Sequence, residues 1–320
     1  MKYLITGGGG FIGIKLVERL IKNKANKIYI IDNFSKKKNN KDLSKILKNK
    51  NVKLIKKNLN QISDYLKIYS FDYIYHFAAI LGVQKVIENP FITLKENILS
   101  TINLIDFSKK QKKLKKICFT STSEVYAYTL RKKLAKYPTP EDIDFLVSKD
   151  FSPRSSYLLS KIVGEHLMNY SRLNFIIFRP HNIFGPQMGF AHVIPQLTKK
   201  ILKHKKRKII INNSKHKRTF CDIDFAIELI FNISHNKGLN RKTFNIGSPE
   251  NEISIMQLSQ KIKKILNSKN QLISSTSQKD NSPERRRPDM SKSLHYTRQK
   301  HNFEKKLKEA VLWYKNYYTK

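Results

Sequence analysis

Cysteines, long apolar runs and export signals are scarce or absent in this chain of 320 residues. The two cysteines, Cys118 and Cys221, have no metal-type spacing and provide no disulfide framework, so we expect no metal site and no disulfide-stabilised fold. No apolar run approaches the roughly 20 residues that span a membrane. The chain enters an apolar strand at once, without the charged, apolar and small-residue succession that directs export. These absences predict a cytoplasmic protein with no membrane span.

Acidic residues are also scarce: 24 Asp and Glu stand against 63 Lys and Arg, which gives a formal net charge of +39. Such a field attracts nucleic acid and other polyanions. The lysines, however, are dispersed among Asn and Ile, as in residues 36–41, and no nucleic-acid-binding motif accompanies them. We interpret the charge as compositional drift. A nucleotide ligand is therefore favoured over nucleic-acid binding as a main function.

The most informative pattern that is present is a glycine-rich turn at residues 6–13, which reads TGGGGFIG directly after an apolar stretch. A strand, a glycine turn and an amphipathic helix in succession form a cradle for a dinucleotide pyrophosphate. Gly7 permits the tight turn, Gly10 the close approach of backbone to phosphate, and Gly13 the close packing of the helix. The N–H groups at the helix start then face the anion.

A carboxylate follows the second predicted strand. Residues 27–31 read KIYII and lead into Asp32, about 20 residues after the glycines, where an acidic side chain can bind the adenosine ribose hydroxyls. The same negative charge repels a 2′-phosphate. The sequence therefore predicts NAD rather than NADP as the cofactor.

Short apolar runs alternate with longer amphipathic segments through the first 180 residues, which is typical of a parallel α/β sheet. The predicted strands cover Lys2–Thr6, Lys27–Asp32, Val52–Lys56, Asp72–Phe77, Lys116–Ser121 and Asn174–Arg179. The predicted helices cover Phe11–Lys22, Asp42–Leu47, Gln61–Ile68, Pro90–Lys110 and Arg154–Leu173. This succession predicts an α/β fold with a doubly wound, Rossmann-like parallel sheet.

Beyond residue 180 the pattern loosens. We expect an NAD-binding domain at residues 1–180, to which segments around 214–247 return. A smaller C-terminal substrate-binding lobe is expected over most of residues 181–320. Residues 267–282 are rich in Ser and Asn and predict a loop-rich connection, whereas residues 306–318 predict an aromatic amphipathic helix.

Tyr157 and Lys161 form a second chemical signal. At i and i+4 they share one helix face, so the ammonium can lie near the phenol, stabilise the phenolate and lower its pKa. Such a phenol suits a general base acting on a sugar hydroxyl. The preceding strand delivers Thr122 to the carboxyl edge of the sheet, where doubly wound folds bind ligands. Thr122 is therefore expected to hydrogen-bond Tyr157 or the substrate.

Taken together, the motifs resemble those of the extended short-chain dehydrogenase/reductase family, specifically its NAD-dependent nucleotide-sugar epimerases and dehydratases. Besides the glycine-rich opening, the resemblance rests on the segments Asp32–Ser35, His76–Ala79, Arg179–Pro186, Arg218–Phe220 and Arg286–Lys292. It covers nearly the whole chain. It implies an NAD-dependent enzyme whose substrate is a nucleotide-linked sugar.

The resemblance also implies which residues bind the cofactor. They are Gly7, Gly10, Phe11, Ile12 and Gly13 at the pyrophosphate, Asp32 and Asn33 at the ribose, Asn58 and Leu59 at the adenine, Phe77, Ala78, Ala79 and Asn97 along the cofactor, and His181 at the nicotinamide end, together with Tyr157 and Lys161. Asn58 stands where the family usually has Asp. Its amide oxygen can still accept a hydrogen bond from the adenine amino group, so the contact is expected to be weakened but kept.

Five further residues are implied to bind the substrate. Asn182, Arg218 and Arg286 would hold its diphosphate, and His192 and Val193 would lie near its base. Guanidinium groups suit phosphate because their planar fork donates two parallel hydrogen bonds.

Glu124 leaves the choice of reaction open. Simple 4-epimerases commonly have an inert residue at this position, whereas a carboxylate resembles the 4,6-dehydratases, in which it can abstract the C5 proton. The pair Ser123 and Glu124 resembles the UDP-glucuronate decarboxylases, for which Arg286 would fit a contact with the substrate carboxylate. The long stretch at residues 127–156 matches no dehydratase pattern. A purely structural role for Glu124 is the remaining interpretation.

The expected reaction is oxidation at C4 of the sugar, with Tyr157, Lys161, Thr122, Ser123 and Glu124 as candidate catalytic residues. We expect 4-epimerisation first, because it is the commonest outcome in the family, and 4,6-dehydration or decarboxylation through Glu124 as the alternative. A remote alternative is a non-catalytic dinucleotide-binding protein that recruits nucleic acid or a partner, against which the intact Tyr157 and Lys161 argue. A homodimer is expected.

Overall fold

The structure, a computed structural model, describes residues 1–34, 41–62, 66, 70–149, 151–203, 208–275 and 283–319. Ser35 and most of the helix predicted at residues 61–68 lie outside the described residues. The chain forms two compact units. The first comprises residues 1–125, 147–179 and 230–244, and the second comprises residues 126–146, 180–229 and 245–320.

A seven-stranded sheet is the main feature of the fold. The strands of the chain are β1 Lys2–Thr6, β2 Lys27–Ile31, β3 Val52–Ile55, β4 Tyr73–His76, β5 Lys116–Thr120, β6 Phe175–Pro180, β7 Ile183–Phe184, β8 Lys208–Ile211, β9 Lys217–Arg218, β10 Cys221–Asp222, β11 Lys242–Ile246, β12 Ile253–Ser254, β13 Gln271–Ser274 and β14 Arg285–Arg286. The large sheet has the order β3-β2-β1-β4-β5-β6-β11. Its pairs from β3 to β6 are parallel. The order reverses between β1 and β4, which confirms the predicted doubly wound fold.

The helices connect these strands. They are α1 Phe11–Leu20, α2 Lys41–Ile46, α3 Val83–Glu88, α4 Pro90–Lys109, α5 Ala127–Arg131, α6 Ser155–Tyr170, α7 Val193–Lys203, α8 Ile223–His235, α9 Ile255–Ile265, α10 Ser291–Leu294 and α11 Phe303–Thr319. In α1 the apolar residues Ile14, Val17 and Leu20 recur at helical spacing and are buried, because one stripe of an amphipathic helix packs against the sheet. Helices α4 and α6 pack against each other.

The core of the first unit lies along the central strands. Leu4, Ile74, Ile117 and Ile177 are fully buried in one cluster. Near-continuous apolar strands are expected where a parallel sheet is covered on both faces. On α6, Gly164 lies against the ring of Phe119, and a Cβ at this position would collide with the ring. The glycine therefore allows α6 to approach the sheet closely.

Among the described residues, the second unit has small sheets of β7 with β10, of β9 between β12 and β14, and of β8 with β13. Strand β13 lies inside residues 267–282, so the loop-rich interpretation of that segment was wrong at residues 271–274. Those residues pair in parallel with residues 208–211 of β8. The predicted aromatic C-terminal helix is present as α11. Across the described ranges, no helix is long and apolar enough to cross a membrane.

Candidate active site

The glycine-rich turn lies at the switch point between β1 and β4. Gly7 has φ +68, and a Cβ at this position would lie 2.6 Å from the backbone nitrogen of Ala78. A Cβ on Gly13 would lie 2.7 Å from the carbonyl oxygen of Gly7. Any larger residue would strain the first position and displace α1 at the second. The backbone therefore remains open to a ligand at the carboxyl edge of the sheet.

The start of α1 offers donors for an anion. Gly10 is the N-cap residue of α1, and no side chain caps this end of the helix. The first N–H groups of the helix include those of Phe11 and Ile12, and a capping side chain does not occupy them. These groups and the positive end of the helix dipole suit a pyrophosphate. Beside them, Asp32 accepts hydrogen bonds from Gly9 N at 3.0 Å and from Phe34 N at 2.8 Å. This donor set and the glycine cradle fit the NAD that the sequence predicts.

The residues predicted at the adenine differ in burial. The side chain of Asn58 accepts from Asn60 N at 3.1 Å and starts a short 3-10 turn. Asn58 is exposed, whereas Leu59 is buried in the core cluster. Asn33 is exposed as well. Adenine and ribose contacts for these three residues stay predictions.

The segment that follows β4 is held by Asn97. Its Oδ1 accepts from Ile80 N at 2.7 Å, and its Nδ2 donates to Ile80 O and to Ser160 Oγ, each at 3.1 Å. Asn97 is buried, so its amide fixes the loop between β4 and α3 to helix α6. The partly buried residues of that loop include the three predicted cofactor contacts Phe77, Ala78 and Ala79.

Tyr157, Thr122 and Lys161 come together at the carboxyl edge of β5. The Thr122 hydroxyl lies close enough to the Tyr157 phenol to act on its pKa. The Lys161 ammonium donates to the carbonyl oxygen of Thr120 at 2.8 Å and lies 5.9 Å from the centroid of the Tyr157 ring. The three side chains predicted to act together therefore share one site.

The electrostatics of this site differ from the expectation. Burial raises the pKa of the Tyr157 phenol above its ordinary value. The nearby Thr122 hydroxyl opposes this rise, and the Glu124 carboxylate adds to it. Burial lowers the pKa of Lys161 to about 8, against a raising effect of Glu165. The ammonium was expected to lower the Tyr157 pKa. Desolvation outweighs that effect because a buried phenolate loses its hydration.

Sequence reasoning missed a partner of Glu124. Its Oε1 lies 3.4 Å from Nη2 of Arg154, a residue treated only as the start of the helix that carries Tyr157. Both side chains are partly exposed. Ser123, the other residue of the decarboxylase-like pair, is buried. Arg154 precedes Tyr157 by three positions, and this one-turn spacing was the signal that could have identified it.

A second polar group in the first unit was named in the sequence only as the start of a motif, with no role of its own. His76 is buried between Thr6 and Thr101, with Nδ1 2.8 Å from Thr6 Oγ1 and Nε2 3.3 Å from Thr101 Oγ1. Burial, with a contribution from Lys161, lowers the pKa of His76 to about 3. The imidazole is therefore neutral and fixes the end of β4 from within the core.

The remaining predicted residues belong to the second unit. His181 is buried, its Nε2 lies 3.1 Å from Asn245 Oδ1, and its ring stacks on Tyr126. Asn182 has a positive φ of 41 and donates to Thr219 O at 3.0 Å. His192 is exposed and directly precedes Val193, the first residue of α7.

The two predicted diphosphate arginines are neighbours. Arg218 on β9 pairs in register with Arg286 on β14, and both are buried. Arg218 donates to the carbonyl oxygens of Lys217, Pro283 and Glu284 at 2.7 to 2.9 Å. Several N–H groups of the Arg218 guanidinium therefore bind backbone carbonyl oxygens, a role that the sequence did not indicate.

Comparisons with known proteins identify a family of enzymes and several relatives of this chain. The model of the NAD dependent epimerase/dehydratase family matches residues 3–247. A UDP-N-acetyl-alpha-D-glucosaminuronate decarboxylase from Bacillus cytotoxicus is 30% identical over 328 residues, covering 98% of this chain and 97% of that protein. A bifunctional polymyxin resistance protein, ArnA, from Wigglesworthia glossinidia brevipalpis is 33% identical over 285 residues, covering 84% of this chain. The match spans only 42% of that protein's length.

A solved structure is similar over the whole chain. It is the UDP-glucuronic acid 4-epimerase from Bacillus cereus in complex with UDP-glucuronic acid and NAD. The two chains are 25% identical and superpose with a TM-score of 0.81, covering 99% of this chain and 100% of the other.

Proposed function

Because the chain belongs to the NAD-dependent epimerase/dehydratase family, we propose that it oxidises C4 of a nucleotide-linked sugar and then acts on the 4-keto sugar. The membership confirms the predicted family, the NAD cofactor and the prediction of an enzyme. One observation carries the proposal: the buried ammonium of Lys161 lies 5.9 Å from the centroid of the Tyr157 ring, with Thr122 close to the same phenol. This arrangement suits proton transfer at a sugar hydroxyl.

Each of the three residues has a distinct part in the proposed oxidation. The Tyr157 oxygen takes the proton of the C4 hydroxyl, Thr122 orients that phenol, and the Lys161 cation stabilises the phenolate. The chemistry that NAD supplies when bound is reversible hydride transfer. Since burial raises the Tyr157 pKa, the positive charge of Lys161 is needed to make the phenol a usable base near neutral pH.

We propose 4-epimerisation as the net reaction. Inversion requires that the 4-keto sugar turn its opposite face toward the returning hydride, and Tyr157 can return its proton to O4 in either orientation, so this reaction needs no further acid or base. The similarity to the Bacillus cereus 4-epimerase supports this outcome.

Decarboxylation is the second candidate, because Glu124 lies close enough to Tyr157 to raise its pKa. A sugar oxidised at C4 that carries a carboxylate at C6 is a β-keto acid, which loses CO₂ readily. The Bacillus cytotoxicus relative is named a decarboxylase of a UDP-linked uronic acid. Both this relative and the Bacillus cereus enzyme are named for UDP-linked uronic acids, so we propose this substrate class for the chain.

A panel of nucleotide sugars tests the proposal. Purified protein is incubated with UDP-, dTDP- and GDP-linked hexoses and with the UDP-linked uronic acids, and the products are identified by mass spectrometry and NMR. An unchanged mass with inverted C4 identifies epimerisation, loss of CO₂ decarboxylation, and loss of water dehydration. If no member of the panel reacts or reduces NAD, the proposal is wrong.

We further propose that the enzyme is a cytoplasmic homodimer, with residues 1–180 as the NAD-binding domain and the later chain mainly binding substrate. An exposed apolar surface on α3 and α4 supports the dimer; it consists of Val83, Ile87, Phe91, Ile92 and Leu99. Covering such side chains with a second copy would remove apolar area from water. Light scattering of the native protein and of Phe91→Asp tests it, since the charge should yield monomers.

A further inference from the structure

The carboxylate of Glu165 is the centre of a buried polar network in the first unit. Arg179 donates to it twice, from Nε to Oε1 at 2.9 Å and from Nη2 to Oε2 at 2.6 Å. Ser121 Oγ donates to Oε1 at 2.5 Å. The side chains of Glu165 and Arg179 are each only 6% exposed. A forked guanidinium–carboxylate pair has a fixed geometry, so the position of this negative charge is well defined.

The network lies one helical turn beyond Lys161. Glu165 follows Lys161 by four residues on α6, so the two side chains share one face of the helix. Ser121 lies between Thr120, whose carbonyl oxygen accepts the Lys161 ammonium, and Thr122. One carboxylate therefore ties the carboxyl ends of β5 and β6 to the helix segment that carries Lys161.

We propose that Glu165 is a positioning residue that keeps Lys161 charged and docked on Thr120, with Arg179 and Ser121 holding its carboxylate in place. The inference rests on the proposed function, because it gives Lys161 its importance. Glu165 does not touch the reacting atoms. It acts through Lys161, which in turn acts on Tyr157.

The charges around Lys161 determine whether the loss of the Glu165 carboxylate raises or lowers the Lys161 pKa. Burial lowers the pKa of Lys161 to about 8, and Glu165 is the carboxylate that opposes this. His76 stays neutral, since burial lowers its pKa to about 3, and the Tyr157 phenol stays protonated in the resting site. Arg179 is the other cation and is bound to Glu165 itself. Removing the negative charge should therefore lower the Lys161 pKa further.

The test compares the pH dependence of C4 oxidation in native protein, Glu165→Gln and Glu165→Asp. Lys161 acts as a cation, so activity is lost as pH rises through its pKa. In Glu165→Gln the pH at which kcat falls on the alkaline side should be lower than in native protein by on the order of one unit. The affinity for NAD should stay within about twofold of the native value. Glu165→Asp keeps the negative charge and should show the native pH dependence of kcat on the alkaline side. Asp106→Asn, an exposed carboxylate on α4, is the matched control.

A readout without turnover separates this inference from the proposed function. NMR of protein labelled at the lysine Cε, with the Lys161 signal assigned by its loss in Lys161→Arg, gives the Lys161 pKa directly. If the Lys161 pKa is lower in Glu165→Gln but the native protein oxidises no nucleotide sugar, the proposed function is wrong and the inference about Glu165 still stands. An unchanged Lys161 pKa overturns the inference. If Glu165→Gln does not fold, Ser121→Ala keeps both charges but removes one hydrogen bond that holds the carboxylate, and it must still lower the Lys161 pKa.

Discussion

The carboxylate of Asp32 lies against the glycine turn: its Oδ2 accepts a hydrogen bond from the backbone nitrogen of Gly9 at 3.0 Å. This contact fixes a negative charge beside the cradle for the pyrophosphate. We therefore predict a preference for NAD over NADP. Asp32→Ala should reduce the ratio of the NADP dissociation constant to the NAD dissociation constant by roughly tenfold or more. A tenfold change corresponds to about 1.4 kcal/mol of binding free energy.

Fluorescence titration with both cofactors measures this ratio. Glu18→Ala removes a partly exposed carboxylate on α1 that pairs with Lys15, and it should leave the ratio unchanged. Equal affinities of the native protein for NAD and NADP would contradict the role of Asp32.

Tyr157→Phe should lower kcat for C4 oxidation by roughly 10²- to 10⁴-fold, because it removes the proton acceptor but keeps the ring. NAD affinity and thermal stability should change little. Stopped-flow measurement of reduced nicotinamide follows the oxidation. Tyr170→Phe, at an exposed position on the same helix, serves as the control. Native turnover in Tyr157→Phe would show that another group accepts the proton.

Glu124→Gln separates the possible net reactions. If Glu124 is the acid or base of a later step, the variant should still oxidise C4 but then stall, and reduced nicotinamide should accumulate with a 4-keto sugar. A plain 4-epimerase should barely respond, because Tyr157 handles both proton transfers. Arg154→Gln tests the contact at 3.4 Å and should shift the same step in the same direction.

Solvent deuterium gives an independent reading of Glu124. A dehydratase or a decarboxylase exchanges protons at C5 or C6 with solvent, whereas a 4-epimerase does not. Native behaviour of Glu124→Gln together with no label in the product would remove the main support for both alternatives.

The net charge of +39 makes a prediction about nucleic acid. If the charge is compositional drift, any binding to RNA or DNA should be independent of sequence and should weaken steeply as salt increases, because it depends on counterion release. Filter binding with unrelated oligonucleotides between 50 and 200 mM salt, roughly the range over which such binding collapses, measures this dependence. Sequence-selective binding that persists at the upper end would favour a nucleic-acid function.

Asn245 should be important for stability. It is fully buried, and its side chain contacts Tyr126, His181, Thr139 and Asp289. Asn245→Ala leaves several buried polar groups without this partner and should lower the free energy of unfolding by about 2–4 kcal/mol, at about 1–3 kcal/mol for each group left unsatisfied. Urea denaturation tests this, with Asn316→Ala, an exposed position on α11, as the control. A loss below about 0.5 kcal/mol, as for an ordinary surface site, would contradict it.

Much of the fold and part of the site follow from local sequence. The glycine turn, the strand that ends before Asp32 and the spacing of Tyr157 and Lys161 depend on backbone sterics and helical periodicity, which act over a few residues. The six predicted strands therefore agree with the structure to within one residue at each end. Strand β13 was missed because it forms by pairing with β8, more than 50 residues earlier.

The tertiary structure decided the polar partners. The contacts of Glu165 with Ser121 and Arg179, and the register of Arg218 with Arg286, join residues that no local pattern connects. The order of the strands and the angle of α6 bring them together, and both depend on the packing of the whole core. The pKa of Tyr157 is another example, because its direction follows from burial rather than from the lysine four residues along the helix. Sequence by itself determined which groups are present and how they are spaced along single elements, and folding decided their neighbours, because desolvation and charge pairing depend on distances in space.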